Sequence, residues 1–381
     1  MGNQGSSSQV LGEKLHNNIS VSWKKVTPSG FPLREGQCAC CHGNSLYVFG
    51  GVIQDGDNHI ETNDLLKFNV VDHTWTLIDA KGKLPDPRSA ASLVSVGNKL
   101  YLFGGLNQDS GWQDSLYVFD TDNNTWSELE GEGNKPSARD KLQGSVVDSC
   151  IYYFGGFGPQ FTGDEEDWED MDDEDDDDVI EEARTQQAAQ FGWFNDLYCF
   201  DTATSKWSQP MHMNLGVPTA RAAHGLCAVG SDLIIFGGRD TEKRTNDLHI
   251  FNVDTRKWDL EMEVKGQWPA ARSFHTTTGV GKRVVVMGGR GQDNNHLADF
   301  HIFDTETKEW LQPNVSGDIP EARGQHSVAV VGDQLVLYGG SSEFNQEIMI
   351  CQKFHGDTYV LRLVDVLKGK AEPVDTNGTG S

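Results

Sequence analysis

Six Gly-Gly pairs, each closing a short apolar run, divide the chain into units of nearly constant length. They fall at Phe49-Gly50-Gly51, Phe103-Gly104-Gly105, Phe154-Gly155-Gly156, Phe236-Gly237-Gly238, Met287-Gly288-Gly289 and Tyr338-Gly339-Gly340. The second glycines stand 54, 51, 82, 51 and 51 residues apart. Arg34, Arg88, Arg139, Arg221, Arg272 and Arg323 repeat those intervals, each two or three residues after a proline. Trp75, Trp126, Trp207, Trp258 and Trp310 form a third series, each eleven or twelve residues after Asp64, Asp114, Asp196, Asp247 and Asp299. Three markers with one period mean one supersecondary unit used six times. The long interval is one period plus 31 residues, and the surplus falls where fifteen acids and no Lys or Arg lie between Asp164 and Glu182.

Each unit reads as four short strands. A run such as Leu233-Ile234-Ile235-Phe236 is apolar on both faces, as a strand between two neighbouring sheets must be. The glycines permit positive φ and close backbone approach in a crowded centre. The Trp supplies a large apolar surface between sheets. One four-stranded sheet cannot bury its own faces; six arranged radially cover one another. With a period near fifty, Gly-Gly and a later Trp, the chain resembles kelch-repeat proteins from about Val21 to Val366. The resemblance implies an all-β, six-bladed kelch β-propeller. The sixth unit has a third strand near Asp357-Thr358-Tyr359-Val360-Leu361 but no following Trp, and Ser22-Trp23-Lys24-Lys25-Val26 supplies one at the other end. The N-terminal segment is therefore expected to be the last blade's fourth strand, which removes the open edges. Residues 1–20 and 367–381 are polar and read as disordered tails.

The formal charge of −26 from 31 Lys+Arg and 57 Asp+Glu argues against wrapping nucleic acid. No run of about 18 apolar residues exists for a membrane helix, and Met1-Gly2-Asn3-Gln4-Gly5-Ser6 has no apolar signal core. The seven cysteines fit no disulfide framework, so reduced thiols in cytosol or nucleus are expected. Cys38-Ala39-Cys40-Cys41-His42 lacks a second ligand pair for zinc and reads as a core strand. Asp172 to Asp178 lacks the spacing of a calcium loop, and the acidic run reads as a solvated loop or as a lid over a cationic mouth. Gly2 and Ser6 match a myristoylation pattern.

Strand parity places a candidate site. In an antiparallel meander a-b-c-d, the d–a and b–c connections open on one face. The segment after each Gly-Gly is b–c and the Pro-x-x-Arg segment is d–a. Lys141, Phe157, Arg239, Arg244, Arg272, Ser273, Arg290 and Arg323 are thus expected around one mouth, with the insertion, about 158–192, rising beside them. Guanidinium forks match carboxylates bidentately, so the mouth reads as an anion pocket. The competing reading pairs these arginines with acids between blades.

The stretch Pro218-Thr219-Ala220-Arg221-Ala222-Ala223-His224 through Arg239, Arg244 and Asn246-Asp247-Leu248-His249 is similar to one kelch subgroup. Its members are substrate receptors of cullin-RING ubiquitin ligases that read C-terminal glycine degrons. The resemblance implies a pocket of Arg239, Arg244, Ser273 with Phe274 beside it, Lys141 and Trp193. It also implies a third-blade insertion. Phe157 stands where the subgroup has tyrosine, and Gln325 where it has an aromatic. The adaptor-docking helix of that subgroup is not visible after Val366. His224, His275 and His326 recur three residues after the repeat Arg, which marks a structural role. No nucleophile–base pair, phosphate loop or metal spacing stands out, so the chain reads as non-catalytic and free of cofactors. Two functions follow: a receptor for a peptide C-terminal carboxylate, or a scaffold that binds a protein over a broad propeller face.

Overall fold

An apolar strand buried inside a fold must pair on both edges to satisfy its backbone. The six runs before the Gly-Gly pairs do so. In the computed structural model, which describes residues 19–26, 33–56, 58–160, 190–213, 216–259 and 262–368, each is the second strand of an antiparallel sheet. In blade 1 the strands a to d are Cys38–His42, Ser45–Phe49, Leu65–Asn69 and Thr74–Leu77. In blade 4 they are Gly225–Val229, Asp232–Arg239, Arg244–Asn252 and Lys257–Trp258. The other innermost strands are Ser92–Val96, Gln143–Val147, Thr276–Val280 and Ser327–Val331. Each of the six touches the next, and the sixth touches the first. The Cys38–His42 segment is thus an inner strand, and burial pushes the Cys38 thiol up to about 12.

The sixth blade is completed from the other end of the chain. Ser20–Lys25 pairs antiparallel with Thr358–Arg362, Trp23 opposite Leu361. Its far side takes Asn314–Gly317 in parallel as a fifth strand. Ile19 and Ser20 belong to this blade, and Ile19 is buried. At the other end Leu367 closes the short helix Leu363–Leu367 and Lys368 caps it, so the expected tail begins later than 367. The rest of the expected tails, Gly2 and the acidic run lie outside the described residues.

The Trp series locks neighbouring blades together. Trp126, Trp207, Trp258 and Trp310 stand on outer strands, each against the aromatic that precedes the previous blade's Gly-Gly: Phe49 at 5.5 Å, Phe103 at 5.2 Å, Phe154 at 6.0 Å and Phe236 at 5.1 Å. Trp75 meets Tyr338 at 4.4 Å, and Trp23 meets Phe300 of blade 5 at 6.2 Å. The glycines allow the blades to come this close. A Cβ on Gly289, at φ 95°, would sit 2.8 Å from the Ser273 carbonyl oxygen and from His275 Cβ.

A second ring closes at the mouth of the channel. The residues two places after the repeat arginines are Gly36, Ala90, Lys141, Ala223, Phe274 and Gln325, and all have positive φ. Their backbone N–H groups donate to one another in sequence: Ala90 to Gly36, Lys141 to Ala90, Ala223 to Lys141, Phe274 to Ala223, Gln325 to Phe274, and Gly36 to Gln325. The circle runs 2.7–3.2 Å per bond and is continuous around the axis.

The repeat arginines are buried and are part of the frame. Each donates to the carbonyl of the first glycine of its own blade, as Arg139 does to Gly155 and Arg272 to Gly288. Five also hold an aspartate: Arg34 with Asp64, Arg139 with Asp196, Arg221 with Asp247, Arg272 with Asp299 and Arg323 with Asp357. Arg272 and Arg323 therefore do not serve the mouth, contrary to the parity expectation. Burial raises the acidity cost of Asp299, but the bonds from Arg272 and His301 outweigh it and hold the carboxyl well below its ordinary range. Arg139→Met should cost about 3 kcal/mol, because it strands Asp196 and the Gly155 carbonyl. Urea unfolding measures it, and a loss under about 1 kcal/mol, the value of an exposed pair, would contradict the frame role.

Candidate functional site

Blade 4 carries the most unusual charge pair. Its strand b runs through the Gly-Gly to Arg239 and its strand c begins at Arg244, so the two arginines are direct cross-strand partners. The turn between them is closed by Asp240, whose carboxylate accepts the N–H groups of Glu242 and Lys243. Like charges directly opposite one another destabilise a hairpin. This one is held by neutral groups. Arg244 Nε donates to Ser273 Oγ at 2.9 Å and Nη2 to Asn294 Oδ1 at 2.8 Å. The Gln292 amide accepts the Arg244 N–H and donates to its carbonyl. Burial, then the charges of Arg290 and Arg239, push the Arg244 guanidinium down to about 10, which leaves it cationic at neutral pH.

Arg290 approaches from blade 5, opposite Ser273 across a two-residue ladder. Its guanidinium lies 3.8 Å from the Phe344 ring centre and 5.1 Å from that of Phe274. Among the described residues, no carboxylate stands within the 4.0 Å of an ion pair with Arg239, Arg244 or Arg290. Lys141 differs, being paired with the buried Asp140 carboxylate beside it. Its ammonium also lies 5.9 Å from the Phe157 ring centre.

Phe157 and Trp193 form the opposite wall. They are cross-strand partners in the ribbon Phe157–Gln160 with Gln190–Trp193, which is the base of the insertion. Their rings meet at 5.0 Å, and Trp112 of blade 2 extends the wall to Phe191 at 4.9 Å. The open recess between these walls is about 560 Å³. Lys141, Phe157, Trp193, Arg239, Arg244 and Phe274 line it, as do Arg290, Ala222 and Ala223. Ser273 lies fully buried behind the wall and acts on Arg244. Asn294, Phe344, Gln346 and Met349 complete the lining and were not expected. The last three come from the blade 6 hairpin Ser341–Asn345 with Ile350–Phe354, which carries none of the repeat markers. Gln325, at the departing position, donates to Glu35 at 2.7 Å. The space inside the six-residue ring adjoins the cavity and is only about 80 Å³.

The geometry defines a propeller with a cationic, aromatic-walled recess at one mouth. The chain belongs to the KLHDC2/KLHL20/DRC7 Kelch-repeats domain family, whose pattern matches residues 6–171 and 184–367. It is similar to human Kelch domain-containing protein 1, 32% identical over 81% of this chain and 76% of that protein. It is 29% identical to bovine Kelch domain-containing protein 2 over 74% of this chain and 69% of that protein. Human Kelch domain-containing protein 3 is 27% identical over 84% and 80%. The kelch domain is a protein-interaction module, and no helix among the described residues is long and apolar enough to cross a membrane.

Proposed function

We propose that this recess receives the C-terminal carboxylate of a peptide or protein, without catalysis. The observation that carries the proposal is the Arg239–Arg244 pair, two guanidiniums on one hairpin with neutral hydrogen-bond supports and no ion-pair partner among the described residues. Such an arrangement costs stability and is offset when an anion enters. A chain end fits the shape better than an internal carboxylate, because the recess narrows sharply at the ring of Lys141, Ala223 and Phe274. The resemblance to receptors of C-terminal glycine supports a small last residue. It also supports a role as substrate receptor of a ubiquitin ligase, which co-purification with an elongin–cullin adaptor would test. The described segment after the last blade, Leu363–Leu367, buries Val366 against the propeller, and Arg283 binds its Val366 carbonyl.

Peptides ending in glycine or in glycine amide discriminate. Each charge-assisted hydrogen bond contributes about 1.5–3 kcal/mol, so amidation should weaken binding about tenfold or more. Arg244→Ala and Arg239→Ala should remove the difference. Equal affinity for both peptides, or affinity untouched by the two substitutions, would overturn the proposal and favour a broad-face scaffold.

A further inference from the structure

Four cations line one recess, and with Lys141 paired to Asp140 three guanidiniums are left, of which one terminal carboxylate neutralises only one. Arg239 and Arg244 oppose each other on blade 4; Arg290 reaches the same space from blade 5. Resting on the carboxylate reading above, we infer that the ligand carries a second carboxylate, an Asp or Glu side chain just before its last residues, and that Arg290 binds it.

The surroundings of Arg290 leave this task open. Its guanidinium makes cation–π contacts with Phe344 and Phe274, which confine it without neutralising it. Its Nε is buried and makes no hydrogen bond. Glu35 attracts Arg290 and Asp293 attracts Arg244, but neither reaches ion-pair distance, and their carboxylates already accept hydrogen bonds. Glu35 accepts from Gln325, Asp293 accepts from Asn295, and Asp140 holds Lys141. Arg290 and Arg239 both bear on Arg244 as like charges, against the weaker pull of Asp293, and one entering carboxylate leaves two of the three guanidiniums unneutralised. Clustered like charges that lack ion-pair partners among the described residues repel one another, most strongly at the part-buried Arg244 and Arg290. A dianionic chain end relieves that repulsion at two points. The lining also separates the two roles. Arg244 is bolted to Ser273 and Asn294 deep in the wall, whereas Arg290 sits beneath Phe344 of the blade 6 hairpin, with Gln346 and Met349 at the same rim.

The test scans Glu against Gln at each of the three positions before the last residue, in peptides with free and with amidated ends, on the full chain. At one position Glu should bind about tenfold tighter than Gln, a difference of about 1.4 kcal/mol, and the gain should shrink with salt. It should appear in both series, since it involves a side chain. Arg290→Gln should erase the Glu gain and leave the preference for a free end. Arg290→Lys should keep part of the gain, which separates charge from packing. Equal affinity for Glu and Gln at every position, or a gain that survives Arg290→Gln, would overturn this inference. Loss of the free-end preference alone would overturn only the carboxylate reading.

Discussion

Removal of residues 1–26 should leave a chain that does not fold. Ser20–Lys25 is the outer strand of the sixth blade, and its loss exposes the Thr358–Arg362 edge along its length. Ile19, Val21, Trp23 and Val26 are all buried at 6% exposure or less. Loss of a buried Trp side chain alone costs about 3–5 kcal/mol, and each buried Val or Ile contributes about 1.5–3 kcal/mol. Set against a net stability of about 5–15 kcal/mol, the deletion consumes most or all of it. The fifth strand Asn314–Gly317 loses its partner too, so the damage reaches the junction of blades 5 and 6. Trp23→Ala is the graded version and should lower the urea midpoint by an amount equivalent to about 3–5 kcal/mol. Circular dichroism and size-exclusion chromatography of the deletion check the larger effect. A deleted chain that unfolds cooperatively at the parent midpoint would show that closure rests on the circle of backbone bonds at the mouth instead.

The propeller was legible because its markers are tied to backbone geometry that every blade must repeat. Gly-Gly answers a close approach, the Trp answers a gap between sheets, and both recur in the sequence for that reason. The N-terminal closure followed from one displaced Trp. The Arg239 and Arg244 pair was legible as well, since both lie within a few residues of a Gly-Gly whose direction parity gives. Which arginines are free was harder to see. Arg272 and Arg323 share the mouth side of the chain with Arg290, but their aspartates lie 27 and 34 residues away and meet them only through space. Four of the five periodic aspartates, Asp64, Asp196, Asp247 and Asp299, hold the arginine of their own blade, a partner role the period could have signalled for Arg272 but not for Arg323. Phe344, Gln346 and Met349 had no such signal, because the blade 6 hairpin follows no repeat. The circle of positive-φ residues was invisible for another reason. Its members are Gly, Ala, Lys, Ala, Phe and Gln, so the conformation is imposed by neighbouring blades and not by side-chain preference.

Acid should loosen the ring in two stages, and histidine should act first. His224, His275 and His326 occupy one position in successive blades and are buried. His275 Nε2 meets the Phe236 carbonyl of the previous blade at 3.1 Å, and the His224 ring packs edge-on against Phe154 at 5.4 Å. Burial, reinforced by the neighbouring Arg221 and Arg323, pushes His224 and His326 from 6.5 down to about 3. Burial and Arg272 move His275 the same way. The folded protein therefore keeps these rings neutral while the unfolded chain binds protons. Their contribution is whole above about pH 7 and is lost as pH falls through 6.5 towards 3. At pH 5, His224 and His326 should each have cost about 2 kcal/mol, and His275 adds to this. The second stage begins below about pH 4, where Asp247, Asp299 and Asp357, held below 3.8 by their arginines despite burial, must protonate. Blade 1 shows how to separate the stages. It carries Gln37 at the equivalent place, and Gln37 Nε2 donates to the Tyr338 carbonyl of the preceding blade at 3.1 Å. Glutamine thus makes the staple without titrating. The triple change of His224, His275 and His326 to glutamine should reduce the loss of urea stability between pH 7 and 5, leaving the share of His296 and His355, which burial pushes down to about 4, and should leave the steep fall below pH 4. A triple variant that loses stability between pH 7 and 5 as steeply as the parent would remove the histidines from this role.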